Sequence, residues 1–93
     1  MKAAGLIIPL KLKEYRVLYS EGTQLKDVSV NDITKAGVYY VSGYNVTDAP
    51  SDLGVLIVIV ASWQSLQLYI SNNNKFFIRI LWSGSWSSWS TLN

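Results

Sequence analysis

The 93-residue sequence contains no cysteine and no histidine. The first absence excludes a disulfide framework, a thiolate nucleophile and any cysteine-held metal. The second removes the usual general base near neutral pH and the commonest nitrogen ligand for metals. Charge is scarce as well. Eight lysines and arginines face six acidic residues, together 15% of the chain, where an average soluble domain carries about 25%. With 49% hydrophobic residues, the composition excludes a disordered chain, which needs low hydrophobicity and high charge. Long apolar runs are missing too. The run of apolar, mostly β-branched residues at 55–61 has seven residues, whereas a spanning helix needs about 20, so no membrane insertion is expected.

The little charge that exists is unevenly placed. Residues 1–26 carry five basic and two acidic side chains, a net +3, and residues 27–93 carry three and four, a net −1. From Leu53 to Asn93 only Lys75 and Arg79 are charged. No basic stripe for phosphates exists, and no nucleic-acid partner is expected. The same stretch holds fifteen Ser, Thr, Asn or Gln residues. An uncharged polar surface suits a neutral ligand such as a glycan, and equally a close-packed oligomer in which buried charge would be costly.

Strand signals dominate the periodicity. No window shows apolar residues at helical spacing with supporting caps. Tyr15, Val17 and Tyr19 alternate imperfectly with polar neighbours. Residues 37–42 are rich in β-formers, 48–52 form a breaker cluster, and 55–61 reads as a strand buried on both faces. Leu66, Leu68 and Ile70 alternate with Ser65, Gln67 and Tyr69, and Phe76, Ile78, Ile80 and Trp82 with Phe77, Arg79 and Leu81. Asn72, Asn73 and Asn74 between these strands predict a hairpin, because asparagine tolerates left-handed backbone angles. The two apolar sets are expected to share one core-facing side. Residues 86–92 predict a last short strand, and 30–34 a single helical turn capped by Asn31 or Asp32. The predicted fold is mainly β: a small antiparallel sheet or sandwich-like meander with at most one short helical turn. Residues 1–26 read as an N-terminal extension or linking strand and 27–93 as the β domain.

Catalytic constellations are lacking. The six acidic residues, Glu14, Glu21, Asp27, Asp32, Asp48 and Asp52, include no pair fixed across a cleft as glycoside hydrolysis requires. No calcium loop or phosphate-cradling glycine loop is present. No enzyme activity, cofactor or metal is expected. The informative residues are four Trp, six Tyr and two Phe. Phe76, Tyr39 and Trp82 read as core. Tyr44, Trp63 and Trp89 lie beside turns or the chain end, among Ser, Asn and Gln. Planar rings there can stack on sugar faces while neighbours bond hydroxyls, so these three are the candidate ligand-binding residues, Trp89 first. Arg79, Trp82 and Trp86 are assigned structural roles. Arg79 is expected to find a carboxylate, Asp32 or Asp48, or several carbonyls. Trp86 is expected to pack over Trp82 or Phe76.

One ordered set of features resembles a known family. Asp32, Ile33, Gly37 and Tyr39, then Ala49-Pro50, then Arg79, then Gly84, Trp86 and Trp89 follow the pattern of the pyocin-knob type domain of phage tail fibres and R-type pyocin fibres. The resemblance covers about residues 25–93. It implies a compact β module of a phage or prophage tail fibre or baseplate, located in the virion tail. Its implied partners are host surface polysaccharide or teichoic acid, other tail proteins, and two further copies in a homotrimer. The short segment before the domain, in place of a long shaft, points to an excised C-terminal module or a small separate tail component. Two alternatives remain open: a purely structural spacer in an oligomeric fibre with no ligand, and a non-catalytic fragment of a cell-wall hydrolase.

Overall fold

The computed structural model describes residues 22–93; the strand expected around Val17 lies outside them. The described chain is built from nine strands and one 3-10 turn. In order these are β1 (Thr23–Gln24), β2 (Val28–Ser29), the 3-10 turn (Val30–Asp32), β3 (Gly37–Ser42), β4 (Val46–Thr47), β5 (Leu53–Ala61), β6 (Gln64–Ser71), β7 (Phe76–Trp82), β8 (Ser85–Trp86) and β9 (Ser90–Thr91). One sheet runs β1-β3-β5-β6-β7-β8, with β9 also paired to β7. The predicted meander is therefore present as β5, β6 and β7, extended by β3, and no helix crosses 55–82. Two short pairings are parallel, β1 with β3 and β2 with β4. Strands β1, β2 and β4, two residues each, are too short to show a period.

Local chemistry explains the connections. Asn74 adopts φ 70 in the β6–β7 turn, as its residue type allows. Ser83 and Gly84 both have positive φ, 51 and 82, and close the two-residue β7–β8 hairpin. The 3-10 turn is capped by Ser29, whose Oγ accepts from the Asn31 amide at 3.0 Å. This corrects the expected cap: Asn31 sits inside the turn. The last segment is two strands rather than one, because residues 87–89 leave the ladder between β8 and β9.

Register sorts the side chains into two faces. One face carries three rows: Tyr40–Val55–Ile70–Phe76, Val38–Ile57–Leu68–Ile78 and Ile59–Leu66–Ile80. The apolar sets of β6 and β7 do share a side, as expected. That side is not the core. Tyr40, Val55, Ile59, Phe76 and Ile80 on it are exposed, so Phe76 is a surface ring. The covered face carries Tyr39–Leu56–Tyr69–Phe77 and Gly37–Val58–Gln67–Arg79. The core is Leu25, Val30, Val41, Leu56, Val58 and Tyr69, packed by Val28, Ile33, Val46, Ala49 and Trp89. The β2–β4 pair and the 3-10 turn thus cover this face, and polar Gln67, Ser71 and Arg79 are buried within it. Strand β5 is accordingly half-covered, not buried on both sides.

Gly54 is required where β5 meets β6. A Cβ there would lie 2.6 Å from the Tyr69 ring and 2.7 Å from the Ile70 carbonyl oxygen. Tyr69 itself is fully buried. Its hydroxyl donates to the Ser51 carbonyl at 2.9 Å, and burial pushes its pKa up, opposed by the Ser51 side chain and assisted by Asp52.

Candidate functional site

The centre of the covered face is a polar clamp. Gln67 on β6 stands directly opposite Arg79 on β7. Its amide nitrogen donates to the Val30 and Ile33 carbonyls at 2.7 and 2.9 Å. Its amide oxygen accepts from Arg79 Nε at 2.9 Å. One fully buried glutamine therefore ties the 3-10 turn to two central strands.

Arg79 is stacked against both late tryptophans, its guanidinium carbon 4.4 Å from the ring centroid of Trp86 and 4.4 Å from that of Trp89. Such desolvated cation–π contacts contribute about 1–2 kcal/mol each. The indole nitrogens then reach outward: Trp86 donates to the Asn31 carbonyl at 2.9 Å and Trp89 to the Asp48 carbonyl at 3.1 Å. Trp89 also meets Tyr69 edge-on at 6.2 Å between ring centroids. Burial pushes the Arg79 pKa down, with the charge of Asp48 acting the other way. Asp48 accepts from the Ser29 and Thr47 hydroxyls. The expected carboxylate partner is thus replaced by an amide and two indole faces. Trp86 packs on Arg79 instead of Trp82 or Phe76. Trp89, expected to be a free stacking ring, is half-buried, with one face on a guanidinium and its N–H on a loop carbonyl. The clamp explains why two tryptophans three residues apart and a lone arginine occur together.

The other two ligand candidates lie at opposite ends of the sheet. Tyr44 follows β3 at the Leu53 end of β5, and Trp63 tips the β5–β6 hairpin at the Ala61 end. Nine residues of β5 separate these ends, about 25–30 Å. Tyr44 is 59% exposed and has φ 53, a conformation that costs a bulky side chain about 1 kcal/mol. It is held there by the Asp27 amide, which donates to its carbonyl at 2.9 Å, and by Lys26 Nζ, 5.3 Å from its ring centroid. Trp63 is 69% exposed and meets Trp82, 57% exposed, edge to face at 5.1 Å. Trp82 is therefore no core residue; with Trp63 it forms an aromatic corner flanked in sequence by Ser62, Gln64 and Ser83. An open groove of about 430 Å³ lined by Thr23, Lys35, Gly37 and Tyr39 contains none of these rings.

Sequence periodicity missed Gln67 as the organiser of the clamp. The signal was present: it alternates with Leu66 and Leu68, so it falls on the face of Tyr69, Ser71 and Arg79. Among the described residues, no three His, Cys, Asp or Glu side chains gather into a group able to hold a metal ion. No helix among them is long and apolar enough to cross a membrane.

A half-covered sheet pinned through a buried arginine clamp makes this a small β domain, and the comparisons place it among phage tail fibre-like domains, in agreement with the resemblance carried by the sequence. Residues 17–92 match the XkdV N-terminal domain, a phage tail fibre-like family, and the chain belongs to that family. Among solved structures, the fold is similar to the R1 pyocin fibre of P. aeruginosa, in a structure comprising its C-terminal residues 323-701, with a TM-score of 0.67 and 22% identity. The similarity covers 77% of this chain and 22% of that one. The chain thus corresponds to a minor part of that fibre's length. No curated protein matches the sequence.

Proposed function

We propose that this domain is a tail-fibre or baseplate module of a phage or prophage-encoded particle, placed in the virion tail, and that it contacts host surface saccharide. The observation that carries the saccharide contact is the exposed Trp63–Trp82 corner amid uncharged polar residues. Its rings offer apolar planes to a sugar face, and neighbouring hydroxyls and amides match sugar hydroxyls. Tyr44, held exposed in a costly backbone conformation, is a second contact point, too distant to serve the same sugar unit. The ligand class is a neutral polysaccharide or the glycan part of a teichoic acid. Homotrimerisation and contact with other tail proteins complete the proposal.

The test is co-sedimentation of the full chain with purified teichoic acid and with neutral cell-wall polysaccharide. Retention that falls about tenfold in Trp63→Ala, with the melting temperature unchanged, supports the contact. Retention equal in wild type and Trp63→Ala, or absent from both materials, overturns it. The apolar outer face favours a second reading, a spacer with no ligand, and the absence of all retention is its signature.

A further inference from the structure

Two hairpin tips share the end of the sheet that carries the aromatic corner. The β5–β6 tip is Ser62–Trp63, and the β7–β8 tip is Ser83–Gly84. Ser62 has φ 30 and Ser83 φ 51, left-handed angles that two-residue hairpins usually give to glycine or asparagine. Each of these serines adjoins one of the exposed rings, so both tips accept backbone strain beside a ring that packs into no core. The rings meet at 89° with centroids 5.1 Å apart. The edge of one abuts the face of the other, which leaves a right-angled notch rather than a flat platform.

The border of the notch has two chemistries. Trp82 shares its face of β7 with Ile80, two residues and about 6.8 Å back. Ile80 is in register with Leu66, and Leu66 with Ile59. Ile80 is 36% exposed and Ile59 49%, so this row presents aliphatic surface beside the notch. Ser62, Gln64 and Ser83 supply hydroxyl and amide groups from the tips. No residue of 59–66 or 80–86 is charged. Arg79, next in sequence to Ile80, is buried on the opposite face.

We propose that the corner selects a hexose that carries a methyl group, and that Ile80, with Ile59 behind it, is the selecting surface. The inference rests on saccharide contact at Trp63 and names the ligand class of that site. A hexose stacked on an indole turns C–H groups to the ring and keeps its polar groups around its rim. On the tip side that rim meets hydroxyls and an amide, which pair with sugar hydroxyls. On the Ile80 side the side chains offer no partner, and a sugar hydroxyl placed there loses water without compensation. A methyl group placed there adds apolar burial instead. One such group in an apolar pocket is worth about 10–200-fold, and on an open corner the low end, about tenfold, applies. The methyl of a 6-deoxyhexose and that of an N-acetylhexosamine present the same chemistry.

The test measures binding of the full chain to immobilised glycosides by biolayer interferometry, in pairs that differ at one group. The pairs are 6-deoxy-L-galactose against L-galactose, 6-deoxy-L-mannose against L-mannose, and N-acetylglucosamine against glucose. Wild type is expected to bind the methyl-bearing member of at least one pair about tenfold more tightly than its parent. The pair that responds identifies the source of the methyl. Ile80→Ser is expected to bring the preference below about threefold, with parent-sugar binding and melting temperature as in wild type. Ile59→Ser, at the other exposed end of the row, is a second probe and is expected to lower the preference as well. Trp63→Ala is expected to weaken both members of a pair alike, which separates loss of stacking from loss of selection. Equal binding within every pair by wild type, or a preference that both serine variants retain in full, overturns the inference and leaves saccharide contact standing. Wild type that binds no member of any pair overturns the inference too, and the co-sedimentation above then decides whether saccharide contact itself stands.

Discussion

Replacing Gln67 with leucine tests the clamp most severely. Leucine nearly matches the glutamine in size, so no large cavity opens. What disappears is a set of three hydrogen bonds, at 2.7, 2.9 and 2.9 Å. The Val30 and Ile33 carbonyls lose a donor and Arg79 Nε loses its acceptor. A buried orphan costs about 1–3 kcal/mol, more for a charged group. The Val30 carbonyl still accepts from the Ile33 amide at 3.2 Å, so taking about 1 for the Ile33 carbonyl and about 3 for the guanidinium, and offsetting about 1 for the added apolar burial, the expected loss is about 3 kcal/mol. A domain of this size has about 5–15 kcal/mol in total, and each kilocalorie moves its melting temperature by about 4–8 °C. Thermal unfolding at fixed protein concentration is therefore expected to shift down by about 12–24 °C. Arg79→Met alone removes both cation–π contacts. In the double variant the orphaned charge is gone, so the combined loss is expected to fall short of the sum of the singles by about 1–3 kcal/mol. A loss below about 1 kcal/mol for Gln67→Leu, or an additive cycle, would show that the amide does not organise this face.

Trp86→Ala and Trp89→Ala are each expected to cost about 2–4 kcal/mol, the range for a half-buried aromatic in a packed site, and differential scanning calorimetry that finds either variant as stable as wild type refutes the sandwich. Gly54→Ala forces a methyl into the Tyr69 ring and is expected to cost about 1–3 kcal/mol in urea unfolding. Because burial holds the Tyr69 phenol above its ordinary value, its contribution is full below about pH 10 and declines as pH rises beyond it. Melting curves across that alkaline range are expected to fall more steeply for wild type than for Tyr69→Phe; equal slopes contradict this. Tyr44→Gly relieves a positive φ of 53 and is expected to leave stability unchanged or raise it by up to about 1 kcal/mol; marked destabilisation would show that the ring supports the fold.

The strands of the meander were legible because their period of two is strong in 66–70 and 76–82. The turn at 72–74 was legible from asparagine chemistry. Which face is inside was not. Apolar alternation in β6 and β7 points to Leu68 and Ile78 as core, and in one chain they lie on the outer side. Periodicity identifies a face but not what covers it, and the cover is set by residues distant in sequence, Val30 and Asp48 among them. Ser29 as cap and the parallel β1 and β2 pairings were hidden for the same reason: two-residue strands exist only through their partners. Of the candidate rings, the exposure of Trp63 and Tyr44 was legible from their turn neighbours. Trp89 shares that polar neighbourhood yet packs against Arg79, which stands opposite Gln67 across the ladder although twelve residues from it in sequence.

Saccharide contact at the aromatic corner is tested most directly by a neutral glycan array probed with the full chain, Trp63→Ala and Trp89→Ala, each checked for its melting temperature. Wild type is expected to retain at least one neutral glycan. Trp63→Ala is expected to lose it about tenfold while melting like wild type, and Trp89→Ala to melt early. An array on which wild type retains no neutral glycan, or on which Trp63→Ala binds as wild type does, contradicts a saccharide-contacting role for this module.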